Sequence, residues 1–245
     1  MAARVIMVAS GKGGTGKSTV SVFTAGCLAK RGRRVLLVEL DSGLRSVDYI
    51  AGIAGKTVYD IGDILEGRCD AAKAIVESPL YKGLYVVSAP YSGGNVRVDA
   101  LAAFVRSARE VFDDIFLDTA AGMGVPFLAA MSVCTMGLIV ITPDPVATRD
   151  GRIVCDALCE HGVTQLRLVI NKVPPTIEEC GVNDLDECID TVGAQLLGVV
   201  PLRQAVADAG SHGLGLPPSE KEIAHAVFHA MAARLCGEEV PLLVR

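Results

Sequence analysis

The chain has 245 residues, 51% hydrophobic and 21% charged, enough apolar surface to offset the entropy of ordering and to exclude a disordered polypeptide. Its 23 Lys and Arg stand against 28 Asp and Glu, a formal net charge of −5, so no global basic field can hold nucleic acid or an anionic membrane by bulk charge. Aromatic residues make up 4% with no Trp while glycine numbers 26, which disfavours a base-stacking platform and points to tight backbone turns.

The first apolar run, Val5–Ala9, passes into Ser10, Gly11 and Lys12 without a cleavage site, so it reads as a buried strand and not as a signal peptide. Gly11-Lys12-Gly13-Gly14-Thr15-Gly16-Lys17-Ser18 follows, fitting G-x-x-x-x-G-K-[ST] between a strand and a helix. In that setting glycines let backbone N–H groups turn inward around phosphate oxygens. Lys17 supplies a point charge, Ser18 offers a hydroxyl to magnesium, and the helix N-terminus adds its positive end. Lys12 repels Lys17 unless several phosphate charges lie between them, so it asks for a polyanionic ligand. Val20, Phe23, Thr24, Cys27 and Leu28 then recur at helical spacing up to a stop at Gly32.

Val35–Leu40, Leu84–Ser88, Ile115–Asp118, Leu138–Ile141, Leu166–Asn171 and Leu197–Val200 are further apolar runs. They are largely continuous rather than alternating, the pattern of strands covered by helices on both faces. One doubly wound, mostly parallel sheet in an α/β domain spanning residues 1–245 is expected, because no linker, repeat or low-complexity tract interrupts the series. Such sheets bind ligands at the carboxyl ends of their strands. Asp41, after the second run, can orient a water there, and Asp118, ending the fourth, can hold a magnesium-bound water opposite Ser18. Thr57 is expected to cap a helix carrying Val58, Ile61, Ile64 and Leu65, and Asn183 one carrying Leu185, Cys188, Ile189 and Val192. Thr119–Pro143 is 25 residues without a charge, but Gly122, Gly124, Pro126 and Gly137 divide it into loop, buried helix and strand rather than a membrane span. The eight cysteines form no C-x-x-C and fit reduced thiols in a cytosol; Cys155 and Cys159, four apart on one helix, have no further metal ligands clustered nearby. Residues 219–236 place Ile223, Val227, Phe228, Met231 and Leu235 on one face and read as the last core helix; from Ser219 onward Lys221, Arg234 and Arg245 stand against Glu220, Glu222, Glu238 and Glu239, whereas an interfacial anchor wants a basic polar face.

Lys12-Gly13-Gly14-Thr15-Gly16-Lys17-Ser18 resembles KGGxGK[ST], the deviant Walker A signature of the MinD/ParA family of P-loop ATPases. Val38-Glu39-Leu40-Asp41-Ser42-Gly43-Leu44-Arg45-Ser46-Val47-Asp48 is similar to the switch I segment DxDxGLRNLD of its MinD branch, Arg45 tipping the choice. Glu39 stands where the family usually has Asp, and Ser46 where it has Asn. The strand and small-residue turn from Asp113 to Gly122 suit Walker B. Val58-Tyr59-Asp60, Gly67, Asp144, Arg149-Asp150 and Leu197-Gly198-Val199-Val200-Pro201 with Gln204 extend the likeness over most of the chain.

The resemblance implies a P-loop NTPase that dimerises on binding Mg-ATP and hydrolyses it slowly, switching partner binding in division-site placement. By it Lys12, Lys17 and Asp41 are catalytic, Lys12 reaching across the dimer to the other nucleotide as an arginine finger does. Gly11, Lys12, Gly13, Gly14, Thr15, Gly16, Lys17, Ser18, Thr19, Asn171 and Pro201 bind the nucleotide, and Ser18, Asp41 and Asp118 hold magnesium partly through water. Asn171 resembles an adenine-contacting residue, a strand-end turn being the plain alternative. The implied partners are a second copy of the chain, a septum inhibitor and a topological regulator, with no nucleic acid. The branch carries a basic membrane anchor beyond a segment like Gly237-Glu238-Glu239-Val240-Pro241. Residues 237–245 are expected to be a tail without one, so membrane contact is expected to be weak or nil and the location cytoplasmic. The alternatives are a ParA-like partition ATPase and a metallocluster carrier; the iron–sulfur branch takes a cysteine soon after Walker B, and residues 119–133 hold none.

Overall fold

The computed structural model describes residues 3–91, 93, 96–216 and 222–243. In chain order the elements are β1 (Arg4–Ala9), α1 (Lys17–Lys30), β2 (Val35–Glu39), α2 (Ser46–Ile50), α3 (Ile61–Leu65), α4 (Ala71–Ala74), β3 (Val76–Glu77), β4 (Leu84–Val87), α5 (Val98–Ala108), β5 (Asp114–Asp118) and α6 (Val125–Met131). There follow β6 (Met136–Ile141), α7 (Pro145–Glu160), β7 (Leu166–Val173), a 3-10 turn (Ile177–Cys180), α8 (Leu185–Val192), β8 (Gln195–Pro201), α9 (Gln204–His212) and α10 (Ile223–Leu235).

All seven apolar runs are strands of one sheet, in the order β3-β4-β2-β5-β1-β6-β7-β8. Every pairing is parallel except β3 with β4. The doubly wound class is therefore present, with one strand not anticipated: β3 is a two-residue antiparallel edge, too short to show a period. Alternate residues of β1 enter opposite cores. Val5, Met7 and Ala9 join the core under α5, α6, α7 and α8, whereas Ile6 and Val8 join the one under α1, α2, α9 and α10. The Phe23 and Phe228 rings meet edge to face in the second core at 5.4 Å between centroids, locking α1 to α10. Because β1 lies between β5 and β6, the chain reverses direction across the sheet at β1, and the crevice beyond its carboxyl end is where a ligand enters.

Several local expectations need correction. The helix after Thr57 is capped by Asp60, whose carboxylate accepts from Asp63 N at 3.1 Å while Asp63 accepts from Asp60 N at 3.0 Å; Val58 is exposed, and Thr57 instead accepts from Arg45. Asp184, not Asn183, caps α8, accepting from Glu187 N at 2.8 Å, while Asn183 turns back to Glu187. Helix α6 is half buried: Phe127, Ala129 and Ala130 face the core, but Val125 and Leu128 are exposed. The start of the last helix at Ser219 lies outside the described residues, and the helix as described begins at Ile223. Of the tail, residues 244–245 lie outside the description. The earlier part is held by Arg234, which donates to Val240 O at 3.1 Å and Pro241 O at 2.5 Å. Among the described residues no helix is long and apolar enough to cross a membrane, and no three metal-ligating side chains cluster.

Candidate functional site

The loop after β1 owes its shape to glycine. Gly14 (φ 78°) and Gly16 (φ 89°) are both left-handed, the latter as N-cap of α1, and a Cβ on Gly16 would lie 2.3 Å from Asn171 Nδ2. No side chain caps α1, so its first N–H groups stay available to an anion. The loop's outward carbonyls have donors: Ser10 Oγ donates to Lys12 O at 2.8 Å, Asn171 Nδ2 to Thr15 O at 2.7 Å, and Lys172 Nζ to Gly14 O at 2.7 Å.

Ser18 Oγ donates to Asp118 Oδ2 at 2.6 Å, which brings the β1 loop and the end of β5 together. Ser21, one turn along α1, donates to the other oxygen, Asp118 Oδ1, at 2.9 Å. Ser21 was not anticipated, although its i+3 spacing from Ser18 puts it on the same helix face. Asp118 is fully buried, and desolvation pushes its carboxyl up to about 6 against the pull of the two serine hydroxyls and Lys17. A buried, under-compensated carboxylate beside a serine hydroxyl is an oxygen donor set that suits a hard dication such as magnesium. Asp41 lies in the loop after β2 and lines the same cavity.

That second loop is bracketed by charge. Glu39, paired in register with Asp118 across β2 and β5, is buried and accepts from Val47 N at 3.2 Å and Ala89 N at 3.5 Å. Burial, with Asp118 and Asp48 adding to it, pushes its carboxyl up to about 8, against the pull of those two N–H groups. Arg45 is left-handed (φ 50°) and buried. Its Nε lies 2.8 Å from Asp48 Oδ2, it donates to Thr57, and it lies over the Tyr91 ring at 4.3 Å. Asp48 also accepts from Ser88 Oγ at 2.5 Å. Arg45 therefore braces the loop, while its neighbours Leu44 and Ser46 line the cavity.

The cavity holds about 700 Å³, within the ~300–1,000 Å³ usual for small-molecule sites. Lys17, Ser18, Thr19, Asp41, Asn171 and Pro201 all line it, so expected residues from four separate stretches converge. Lys12 does not. Its Nζ lies 3.1 Å from Asp144 Oδ1, and that carboxylate also caps α7 by accepting from Ala147 N at 3.0 Å. Burial raises the Asp144 carboxyl, but Thr142, Ala147 and Lys12 outweigh it and hold it below the usual range. Tyr49, Lys172, Arg203 and Val206 line the cavity without having been expected; all lie on α2, β7 and α9 or their flanks, distant in sequence from the loop.

Residues 6–216 match the family model described as the CobQ/CobB/MinD/ParA nucleotide binding domain. The septum site-determining protein MinD of Bacillus subtilis (strain 168) is 32% identical over 244 residues, covering 98% of this chain and 91% of that protein. The structure of the MinC:MinD cell division protein complex of Aquifex aeolicus is similar at a TM-score of 0.91 and 30% identity, covering 99% of each chain. The MinD of Pyrococcus horikoshii OT3, complexed with Mg-ADP, shares the fold at a TM-score of 0.80 and 22% identity, covering 95% of this chain and 96% of that one.

Proposed function

Because the chain belongs to the MinD branch of the CobQ/CobB/MinD/ParA nucleotide-binding family, we propose that it is a dimerising ATPase that times partner binding in division-site placement. The convergence of Lys17, Ser18 and Asp41 on one cavity, with the buried Asp118 hydrogen-bonded to Ser18 behind its wall and Lys12 turned outward to Asp144, is the observation that carries this reading.

The loop N–H groups and Lys17 hold the terminal phosphates. Ser18 and Asp118 would hold magnesium, with Asp41 reaching its water shell, and the ion would neutralise phosphate charge. Asp41 orients a water in line with the γ-phosphorus and takes its proton as the new P–O bond forms and the bond to the β-phosphate oxygen breaks. Lys12 leaves Asp144 and meets the nucleotide of the second copy, so charge stabilisation is complete only in the dimer. Asn171 and Pro201, which both line the cavity, supply the adenine contacts in this reading. The Aquifex relative is a complex of MinC with MinD, which supports a MinC-like partner here, in the place of the septum inhibitor that the resemblance implies. A topological regulator that speeds turnover, and a cytoplasmic location, complete the proposal.

Light scattering with Mg-ATP and with Mg-ADP tests it. The Asp41→Ala protein is expected to form a stable dimer with ATP alone, and the Lys12→Ala protein to bind ATP yet stay monomeric. A Lys12→Ala dimer equal to that of the unaltered chain overturns the trans role.

A further inference from the structure

Lys172 is singled out by three observations. It and Arg45 are the only non-glycine residues with positive φ among the described residues, and both stand beside the nucleotide cavity. A left-handed backbone at a lysine persists only where its surroundings hold it. Next, β7 and β8 lose register between Ile170 and Val173, so Asn171 and Lys172 form an irregularity at the ligand end of β7. Finally, Lys172 Nζ donates to Gly14 O at 2.7 Å, one residue before the carbonyl taken by Asn171.

These facts have one physical logic. A loop that turns its N–H groups inward for an anion turns carbonyls outward, where side-chain donors can fix their orientation. In a regular strand two consecutive side chains point to opposite faces, so Asn171 and Lys172 could not both reach the loop. The left-handed turn at Lys172 brings the second side chain round. We infer that Lys172 is a positioning residue for nucleotide binding: with Asn171 it clips the end of β7 onto successive carbonyls of the phosphate loop, Gly14 and Thr15. The ammonium on Gly14 O also polarises the Gly14–Thr15 peptide, which makes its N–H a stronger phosphate donor. This inference rests on the cavity being a nucleotide site.

Lys172→Met, Lys172→Arg and Lys172→Gly separate charge from backbone. Mg-ATP affinity is measured by calorimetry, and melting temperature without nucleotide. Loss of a charge-assisted hydrogen bond predicts Lys172→Met affinity about tenfold weaker, with the melting temperature little changed. Lys172→Arg keeps a cationic donor and is expected to stay near the unaltered affinity. Lys172→Gly relieves the left-handed strain, so it is expected to be at least as stable as Lys172→Met and to bind as weakly. Unaltered affinity in Lys172→Met, or full affinity in Lys172→Gly, overturns the clip while leaving the nucleotide site standing. Failure of the unaltered chain to bind Mg-ATP overturns the nucleotide reading, and the clip with it.

Discussion

The loop after β1 and the loop after β2 leave neighbouring parts of the same sheet edge and face one cavity, yet they are held by opposite means. The first is held by left-handed glycines and by neutral or cationic donors on its outward carbonyls. The second is held by a buried network of Glu39, Arg45, Asp48 and Ser88. The difference follows from what each presents. A loop that offers backbone N–H groups to an anion must keep anionic side chains away, so conformation holds it. A loop that offers a carboxylate, Asp41, can be braced by charge, because its brace lies behind the cavity wall and out of reach of the phosphates.

If the first loop depends on conformation, a methyl group should ruin it. Gly16→Ala forces a left-handed alanine whose Cβ meets Asn171 Nδ2, and Mg-ATP affinity should fall by about a hundredfold or more in a fluorescent-nucleotide titration. If the second depends on buried charge, Arg45→Ala should leave Asp48 with Ser88 as its remaining side-chain partner. Removing one member of a buried pair costs about 3–5 kcal/mol, read by urea unfolding, whereas removal of an exposed pair costs under about 1 kcal/mol. A loss near the smaller figure would break the comparison.

The finest probe is pH. Glu39 is raised from 4.5 to about 8 in the folded chain, so between those values the unfolded chain releases its proton first. Stability of the metal-free protein should therefore fall as pH rises from about 4.5 towards about 8 and level off above. Glu39→Gln, uncharged throughout, should flatten the profile between about 6 and about 8, above the range where Asp118 contributes a fall of its own; a slope unchanged there in Glu39→Gln would remove Glu39 from the network's electrostatics.

Much of this was legible in the chain. The seven long strands announced themselves because each is buried on both faces, and the glycine-rich loop because phosphate binding by backbone leaves a dense local trace. Caps were less legible. Thr57 and Asp60 are both competent N-caps, and Asn183 and Asp184 adjoin; the choice in each case depends on which residue the tertiary fold leaves extended at the helix start. Ser21, Lys172 and the partnership of Lys12 with Asp144 were out of reach, since each joins residues roughly a hundred or more positions apart.

The sequence by itself determined the fold class, the phosphate loop and the acids at the strand ends, because hydrophobic period and local turn chemistry act over a few residues. Only the tertiary structure decided what those groups touch. Arg45 could have faced the cavity and instead braces its wall, Lys12 could have joined Lys17 and instead meets Asp144, and Lys172 became part of the phosphate loop's support. Long side chains have many places to go, and burial, like-charge repulsion and the pull of carbonyl and carboxylate oxygens on cationic donors select among them only once the strands have brought distant segments together.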